Sequence, residues 1–275
     1  MNRIARGNSA TISHIFYVDG IPTNPSPDAA TVTITRDDGT VLVNAAAATE
    51  AGTGVVTYTL TPTQTALLDA LTVSWTATFG GQSQTFIDIV EIVGGFLFTI
   101  AEARAVKPLD NTTAYTLQMI RDTRTLVEEA LEDACGVAFV PRYKRETVMG
   151  TGSSRLVLSQ PRVTAVRSIS AITDTTSIVV HTSGVIYYPA GFARDTAYIV
   201  SYEHGHPSPP LPAKQAALAL AKKFLLSGPV DDRTTTMSTE DGTYVLSTPG
   251  MRGAIWGVPV ADSFAAQYSQ RACIA

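Results

Sequence analysis

Cysteine and long apolar runs are scarce in this 275-residue sequence. Its two cysteines, Cys135 and Cys273, are too few for a disulfide framework and are typical of a protein from a reducing compartment. No run of about 18 apolar residues occurs, so the sequence predicts no membrane span. The segment from Met1 to Gly7 lacks the apolar stretch of a secretion signal. These absences predict a protein that neither spans a membrane nor depends on disulfides.

Charge is also sparse, and this limits the classes of partner. Only 16% of the residues are charged, against about 25% in an average domain. The net charge of −4 lacks the basic footprint of a protein that grips DNA. Hydrophobic residues make up 45% of the chain, which is enough for a packed core and excludes wholesale disorder. Such a composition is typical of a protein whose surface is partly covered by neighbours.

Motifs for catalysis and metal binding are missing or incomplete. No G-x-S-x-G sequence marks a serine nucleophile, and Gly150 and Gly152 lie between predicted strands rather than before a phosphate-binding lysine. His204 and His206 would face the same side of an extended segment, but no further ligand pattern accompanies them. The sequence therefore predicts no catalytic residue, no metal and no cofactor, so we expect that the protein is not an enzyme. A metal-dependent hydrolase centred on these two histidines is a competing hypothesis.

The distribution of charge divides the chain. Residues 1–95 carry three basic and eight acidic side chains, with no lysine, whereas residues 96–275 carry 17 basic and 16 acidic side chains. The change falls beside Gly94-Gly95, a pair typical of a linker. We therefore predict two domains, at 1–95 and 96–275.

The first domain has the pattern of an antiparallel β-sandwich. Polar and apolar residues alternate strictly from Thr31 to Thr35, which is the period of a half-buried strand. Asp38-Gly39 follows at once and favours a hairpin turn, because both residues tolerate positive φ. Six or seven short strands fit into about 95 residues, a spacing typical of a sandwich.

The second domain changes to a helical period, so the predicted fold class is α+β. Thr99 and Glu102 form a capping-box pattern at the start of a helix. Helices are predicted at about 100–107, 112–135, 213–227 and 260–269, with a β insert at 143–203. In the second helix, the apolar face is predicted to contain Leu117, Ile120, Val127, Leu131 and Ala134, and the solvent face Arg121, Glu128, Glu129 and Glu132. Five alanines between 213 and 221 allow another backbone to approach the third helix closely.

A basic cluster lies at the start of the β insert. Arg142, Lys144 and Arg145 are followed by Arg155, Arg162 and Arg167. Two interpretations stay open at this point. The cluster is either a patch that contacts phosphate groups or a salt-bridge surface between subunits.

Several short segments of residues 96–275 occur in a recognisable order. They are the helix start Thr99–Glu102, the helix end Ala130–Gly136, the strand pair Glu146–Leu158, and the segments Gln160–Val163, Tyr202–Gly205, Gly228–Arg233, Asp241–Thr243 and Gly257–Pro259. In this order and spacing, the region resembles the head–tail adaptor (connector) proteins of long-tailed double-stranded DNA bacteriophages. The match covers roughly two thirds of the chain, and no single segment is diagnostic.

This resemblance implies a structural virion protein of the neck. Family members form a ring, commonly of twelve copies, that joins the portal of the DNA-filled capsid to the next neck, stopper or tail-completion protein. DNA passes through the lumen without sequence-specific binding. The protein would be present in the host cytoplasm during assembly and then in the virion, at the head–tail interface. The alanine-rich helix is expected to help form the ring.

The resemblance also assigns a role to the C-terminal segment, about residues 248–275. In the family this part docks on the portal, and glycines separate aromatic residues here in a way that suits a segment ordering on its partner. The expected interface residues are Trp256, Phe264, Tyr268 and Arg271.

The N-terminal sandwich is an addition to the minimal family plan. It resembles the immunoglobulin-like modules often added to phage structural proteins. The alternative function is therefore a tail or baseplate module that recognises a host-surface glycan or protein through the sandwich. Exposed aromatic clusters would favour that alternative, but most of the aromatic side chains fit core positions. The residues considered are Phe16, Tyr17, Tyr58, Trp75, Phe79 and Phe86.

Overall fold

The protein has a mixed α+β fold, as the sequence predicts. The structure is a computed structural model that describes residues 2–26, 29–226, 236–239, 242–245 and 255–269, with the backbone alone at 236–239 and 242–245. These residues contain four helices and several small, mostly antiparallel sheets. No helix in the described ranges is long and apolar enough to cross a membrane.

The chain forms two compact units, and each contains two separate stretches of sequence. The β-rich unit consists of Met1–Gly95 and Pro141–His204. The helical unit consists of Phe96–Val140 and Gly205–Ala275. The β segment that interrupts the helices therefore belongs to the same compact unit as the N-terminal strands.

The N-terminal part of the β-rich unit contains ten strands. They are β1 (Asn2–Ala5), β2 (Ala10–Ile15), β3 (Tyr17–Val18), β4 (Ile21–Pro22), β5 (Thr31–Arg36), β6 (Val41–Ala47), β7 (Thr49–Gly52), β8 (Val55–Leu60), β9 (Asp69–Phe79) and β10 (Gln82–Val93). A five-stranded sheet has the order β1-β10-β9-β5-β6, and a three-stranded sheet has the order β2-β8-β7. Both sheets contribute to one hydrophobic core around Trp75.

The alternating sequence pattern explains these strands. Val32 and Ile34 of β5 are buried, while the threonines between them are half-buried on the other face. The predicted turn at Asp38-Gly39 joins β5 to β6, and Gly39 has a positive φ. Asp38 does not have a positive φ, so the turn is not the type I′ turn that this pair favours. The parallel pairing of β1 with the end of β10 was not predicted from the sequence.

The second stretch of the β-rich unit forms two small sheets. Its strands are β11 (Arg142–Met149), β12 (Arg155–Val157), β13 (Val163–Ile169), β14 (Val179–Val180), β15 (Val185–Tyr187) and β16 (Ala197–His204). The strand orders are β11-β16-β13 and β12-β15-β14. Leu156 and Ile186 of one sheet share a core with Val200 and Tyr202 of the other.

The first two helices of the helical unit are α1 (Ile100–Arg104) and α2 (Leu117–Cys135). The predicted capping box is confirmed, since the Thr99 hydroxyl accepts the Glu102 N–H and the Glu102 carboxylate accepts the Thr99 N–H. Helix α2 begins later than predicted because Asn111 holds the preceding residues in a turn and Thr116 caps the helix. Gly136 ends α2 in the left-handed conformation.

The other two helices are α3 (Leu211–Leu225) and α4 (Pro259–Tyr268), and both have a proline in the first turn. Between them in the sequence, β17 (Thr236–Thr239) and β18 (Gly242–Val245) pair as antiparallel strands. Helix α3 packs against α2 and α4. The three helices form the centre of the unit.

The predicted faces of α2 are right at Ile120, Val127 and Leu131, which are buried, but wrong at three positions. Glu128 is 0% exposed and Glu132 is also buried, whereas Leu117 is exposed. The reason is that the Glu128 carboxylate accepts the buried N–H of Leu97 at 2.7 Å. A buried backbone donor must find an acceptor, so this requirement outweighs the apolar preference of the helix face.

Candidate functional site

The described part of the C-terminal segment, residues 255–269, is held on the helical unit by polar contacts. The Trp256 carbonyl accepts a hydrogen bond from Lys223 Nζ of α3 at 2.5 Å. The Trp256 N–H donates to the buried Asp262 carboxylate of α4 at 2.9 Å. These two bonds fix the start of α4, and they leave the Trp256 side chain half-buried.

An aromatic cluster holds the other end of α4. Phe264 and Tyr268 stack with ring centroids 4.5 Å apart, and both rings contact Phe139, which follows α2. His206 stacks on the same Phe139 ring at 5.7 Å. Phe264 is 4% exposed, so its ring is already covered by its own unit, while Tyr268 is half-buried.

The predicted interface residues therefore differ in their surroundings. Trp256 and Tyr268 keep part of their surface exposed, Phe264 is in the core, and Arg271 lies outside the described residues. A contact between this segment and a portal stays a prediction.

The alanine-rich face of α3 is covered within the chain. Its fully buried members are Ala213, Ala216, Ala217, Leu220 and Ala221. The helices that approach these alanines are α2 and α4 of the same molecule. The predicted close approach is thus intramolecular, and the face is not open to another copy.

An ion pair attaches α1 to α3. Lys214 Nζ lies 2.6 Å from Glu102 Oε1, the carboxylate oxygen that takes no part in the capping box. The hydrogen bond from Lys214, followed by those from Thr99, lowers the pKa of Glu102 to about 2. The carboxylate therefore stays ionised and bound to the lysine well below neutral pH.

The basic cluster of the β insert binds partners in its own unit. Arg142 donates two hydrogen bonds to the Glu91 carboxylate, at 2.6 and 2.7 Å. Arg3 of β1 lies 3.2 Å from the same carboxylate, and Glu91 is buried. Glu91 thus connects β1 and β10 to β11 through two guanidinium groups.

Two further arginines extend this network. Arg145 donates to the Asp37 carbonyl, and Arg167 donates to the Leu68 carbonyl at 2.7 Å. Arg167 also binds Glu203 of β16 at 2.5 and 2.9 Å. These four arginines hold the insert on the N-terminal strands. Arg142, Arg145 and Arg167 therefore bind partners within their own unit. This contact set replaces both earlier interpretations of these three residues, the phosphate patch and the salt bridge between subunits.

The two histidines of the metal hypothesis belong to different units. His204 is buried on β16, opposite Arg142 and Val163, whereas His206 stacks on Phe139 in the helical unit. Burial, and then the charges of Arg142 and Lys144, lower the pKa of His204 to about 4. Among the described residues, no group of three or more side chains is arranged to hold a metal ion.

Most aromatic residues of the N-terminal strands contribute to the core, as predicted. Phe16 and Trp75 are fully buried, and Tyr58, Phe79 and Phe86 pack against the same cluster. Tyr17 is exposed on the β3–β4 hairpin. One such ring is not an exposed aromatic cluster of the kind that would favour glycan recognition.

One polar contact at the edge of this core was not predicted. The Asp88 carboxylate accepts the Trp75 indole N–H at 2.9 Å and lies 2.8 Å from His14 Nδ1. His14 belongs to β2 and Asp88 to β10, so the pair connects the two sheets. Their separation in sequence explains why no local motif reveals the contact.

Comparison with known proteins leaves the family open. No family model matches this chain, and no curated protein matches it. Among solved structures, one similar chain comes from the neck of an empty GTA particle computed with C6 symmetry. The two chains share 16% identity, the match covers 53% of this chain and 85% of the other, and the TM-score is 0.38. A score this low does not establish a shared fold.

Proposed function

We propose that this protein is a head–tail adaptor, a structural neck protein that joins the portal of a DNA-filled capsid to the next neck or tail component. It acts without catalysis, metal or cofactor. Copies of the chain form a ring, of twelve subunits by analogy with the family, whose lumen extends the DNA channel. In this proposal the protein is found in the host cytoplasm during assembly and in the virion neck afterwards.

The observation that carries the proposal is the interrupted helical unit. A short capped helix and a long helix come first, a β insert follows, and an alanine-rich helix with a C-terminal segment completes the unit. This is the order of segments through which the sequence resembles the adaptor family. Fold alone does not determine function, so the assignment requires a direct test.

The N-terminal strands are proposed to be an immunoglobulin-like addition. A five-stranded and a three-stranded sheet that share a core around Trp75 support this class. The arginine contacts between the β insert and the N-terminal strands support a module that is joined to the insert within one compact unit. Its partner would then be another virion protein rather than a glycan, because exposed aromatic clusters are lacking among the described residues of the module.

The C-terminal segment is proposed to dock on the portal. Trp256, Tyr268 and Arg271 are the candidates, since Phe264 is buried by Phe139. A docking role for Phe264 would require α4 to leave its own unit.

The test is negative-stain imaging of the full-length protein mixed with the portal encoded by the same phage. We expect discrete rings stacked on one end of the portal. Images of the portal alone are the control and show its outline without this protein. Portals that look the same with and without this protein would contradict the proposal.

A further inference from the structure

Two exposed surfaces carry apolar side chains and charges of opposite sign, and we propose that they bind each other between neighbouring copies. One lies on α2 of the helical unit and the other on the sheet β12-β15-β14 of the β-rich unit. The proposal deepens the proposed function, because it names the faces that close the ring. The surface on α2 was not predicted as an interface from the sequence, whereas Arg155 of the sheet belongs to the basic cluster for which a salt-bridge surface between subunits was one interpretation.

The first surface, called the α2 stripe, consists of Met119, Leu126 and Ala130 with the acidic row Asp122, Glu129 and Asp133. Leu126 is 55% exposed and Met119 is also exposed, although both are apolar. At about 3.6 residues per turn, these six positions lie on the side opposite the buried residues of the helix. The result is an apolar strip bordered by three carboxylates.

The second surface, called the β12 face, is the outer side of the small sheet. Arg155, Tyr187 and Val179 are in register across its three strands, and Val157 and Val185 form the next row. Val157 is 65% exposed, and Arg155 and Val179 are exposed too. The intervening residues Leu156 and Ile186 point the other way, into the core.

The two surfaces are similar in width and opposite in charge, with three carboxylates on the α2 stripe and Arg155 on the β12 face. Three strands span about 10 Å, which is close to the diameter of a helix with its side chains. Burying valines against Met119 and Leu126 removes apolar surface from water. Arg155 would then meet carboxylates such as Asp122 or Asp133 at the border of the contact.

The charge pattern also selects the symmetry. Pairing two α2 stripes would place three carboxylates against three, which is unfavourable. A contact between unlike surfaces is heterologous, so each copy keeps one free face for the next copy and the chain of contacts can close into a ring. The covered alanine face of α3 is then not needed for assembly.

Disulfide trapping in the full-length chain tests the pairing. One variant carries Leu126→Cys and another carries Val157→Cys, with Cys273→Ser in both and the buried Cys135 retained. After mixing and mild oxidation, we expect covalent dimers on a non-reducing gel. The matched control is Ile87→Cys, at a residue of β10 that is 66% exposed, mixed with Leu126→Cys. Equal dimer yields in the two mixtures would overturn the proposal.

Charge reversal supplies an independent readout. Arg155→Glu should lower the trapped dimer yield about fivefold at low salt, and Asp133→Arg on the partner copy should restore much of it. The difference should shrink as salt screens the pair. A yield that does not respond to these changes would contradict the assigned contact.

Imaging on the portal separates this inference from the proposed function. Rings that form normally with Arg155→Glu, and that show no cross-link between positions 126 and 157, would overturn the assigned faces and leave the adaptor function intact. Failure of the unmodified protein to form rings on the portal would overturn both.

Discussion

Glu91 is the residue on which the polar contacts of the β-rich unit converge. It is buried, and it binds Arg3 and Arg142, which lie far from each other in the sequence. A buried carboxylate is stabilised here by two guanidinium groups that depend on it in turn.

Removing this carboxylate should therefore destabilise the unit strongly. We expect Glu91→Ala to lower the free energy of unfolding by about 3 kcal/mol, because two cations lose their buried counter-charge. Urea denaturation followed by circular dichroism measures the change. Glu50→Ala, at an exposed residue of β7, is the control and should change stability by no more than about 0.5 kcal/mol. Equal effects of the two substitutions would contradict the role of Glu91.

His204 should make the β-rich unit less stable in mild acid. Its pKa is lowered to about 4 in the folded protein from an unfolded value near 6.5, so the unfolded state binds the proton more readily. Its stabilising contribution is complete above pH ~6.5 and is lost as pH falls toward about 4. We expect a loss of about 2 kcal/mol between pH ~7 and ~5 from this group.

The measurement is urea denaturation across this pH range. His204→Gln should flatten the pH dependence of stability, because the titrating group is gone. His181→Gln, at an exposed histidine, should leave the slope unchanged. If the pH dependence of stability is unchanged in the His204 variant, other titrating groups cause it.

At the scale of elements, the aromatic cluster around Phe139 contacts the C-terminal half of α4, and the start of the helix is more exposed. Phe264 packs on Phe139 and Tyr268, whereas Val260, one turn earlier, is 52% exposed. The sequence pattern places Val260, Phe264 and Tyr268 in one stripe, but only the last two contact the cluster.

This difference gives a matched pair of substitutions in one helix. Phe264→Ala should destabilise the helical unit by about 3 kcal/mol, since it leaves a cavity beside Phe139. Val260→Ala should have little effect. Urea denaturation, with limited proteolysis of the C-terminal segment as a second measurement, distinguishes them. Similar protease resistance in both variants would mean that α4 does not depend on this packing.

Local sequence signals predicted the elements better than their contacts. The turn at Asp38-Gly39 and the capping box at Thr99 are determined by residues a few positions apart, and both are confirmed. The partners of Glu91 and the burial of Glu128 depend on residues far away in the chain. The amphipathic pattern of α2 therefore indicated the helix and its buried residues Ile120, Val127 and Leu131 correctly, but not the burial of Glu128 and Glu132.

At the scale of the whole molecule, the chain contains two compact units. Glu91 and Phe264 belong to different units and share no partner. Substitutions that are distant and share no partner usually have additive effects on stability.

We therefore expect Glu91→Ala and Phe264→Ala to act on different unfolding transitions. Calorimetry of the double variant should give two shifts that match those of the single variants. A single shared transition that moves by the same amount in both variants would mean that the two units unfold together.

Because each unit contains two separate stretches of sequence, neither unit can be produced alone by a single truncation of the chain. A truncation after Gly95 would separate Arg142 from Glu91 and leave the carboxylate with Arg3 alone. The two cut points in the β-rich unit are already neighbours, since the Gly94 N–H donates to the Pro141 carbonyl at 2.8 Å. The same holds in the helical unit, where the His206 N–H donates to the Ala138 carbonyl at 3.2 Å. Splicing residue 95 to 141, and residue 140 to 205, with short glycine linkers would thus give two polypeptides that each retain their own network.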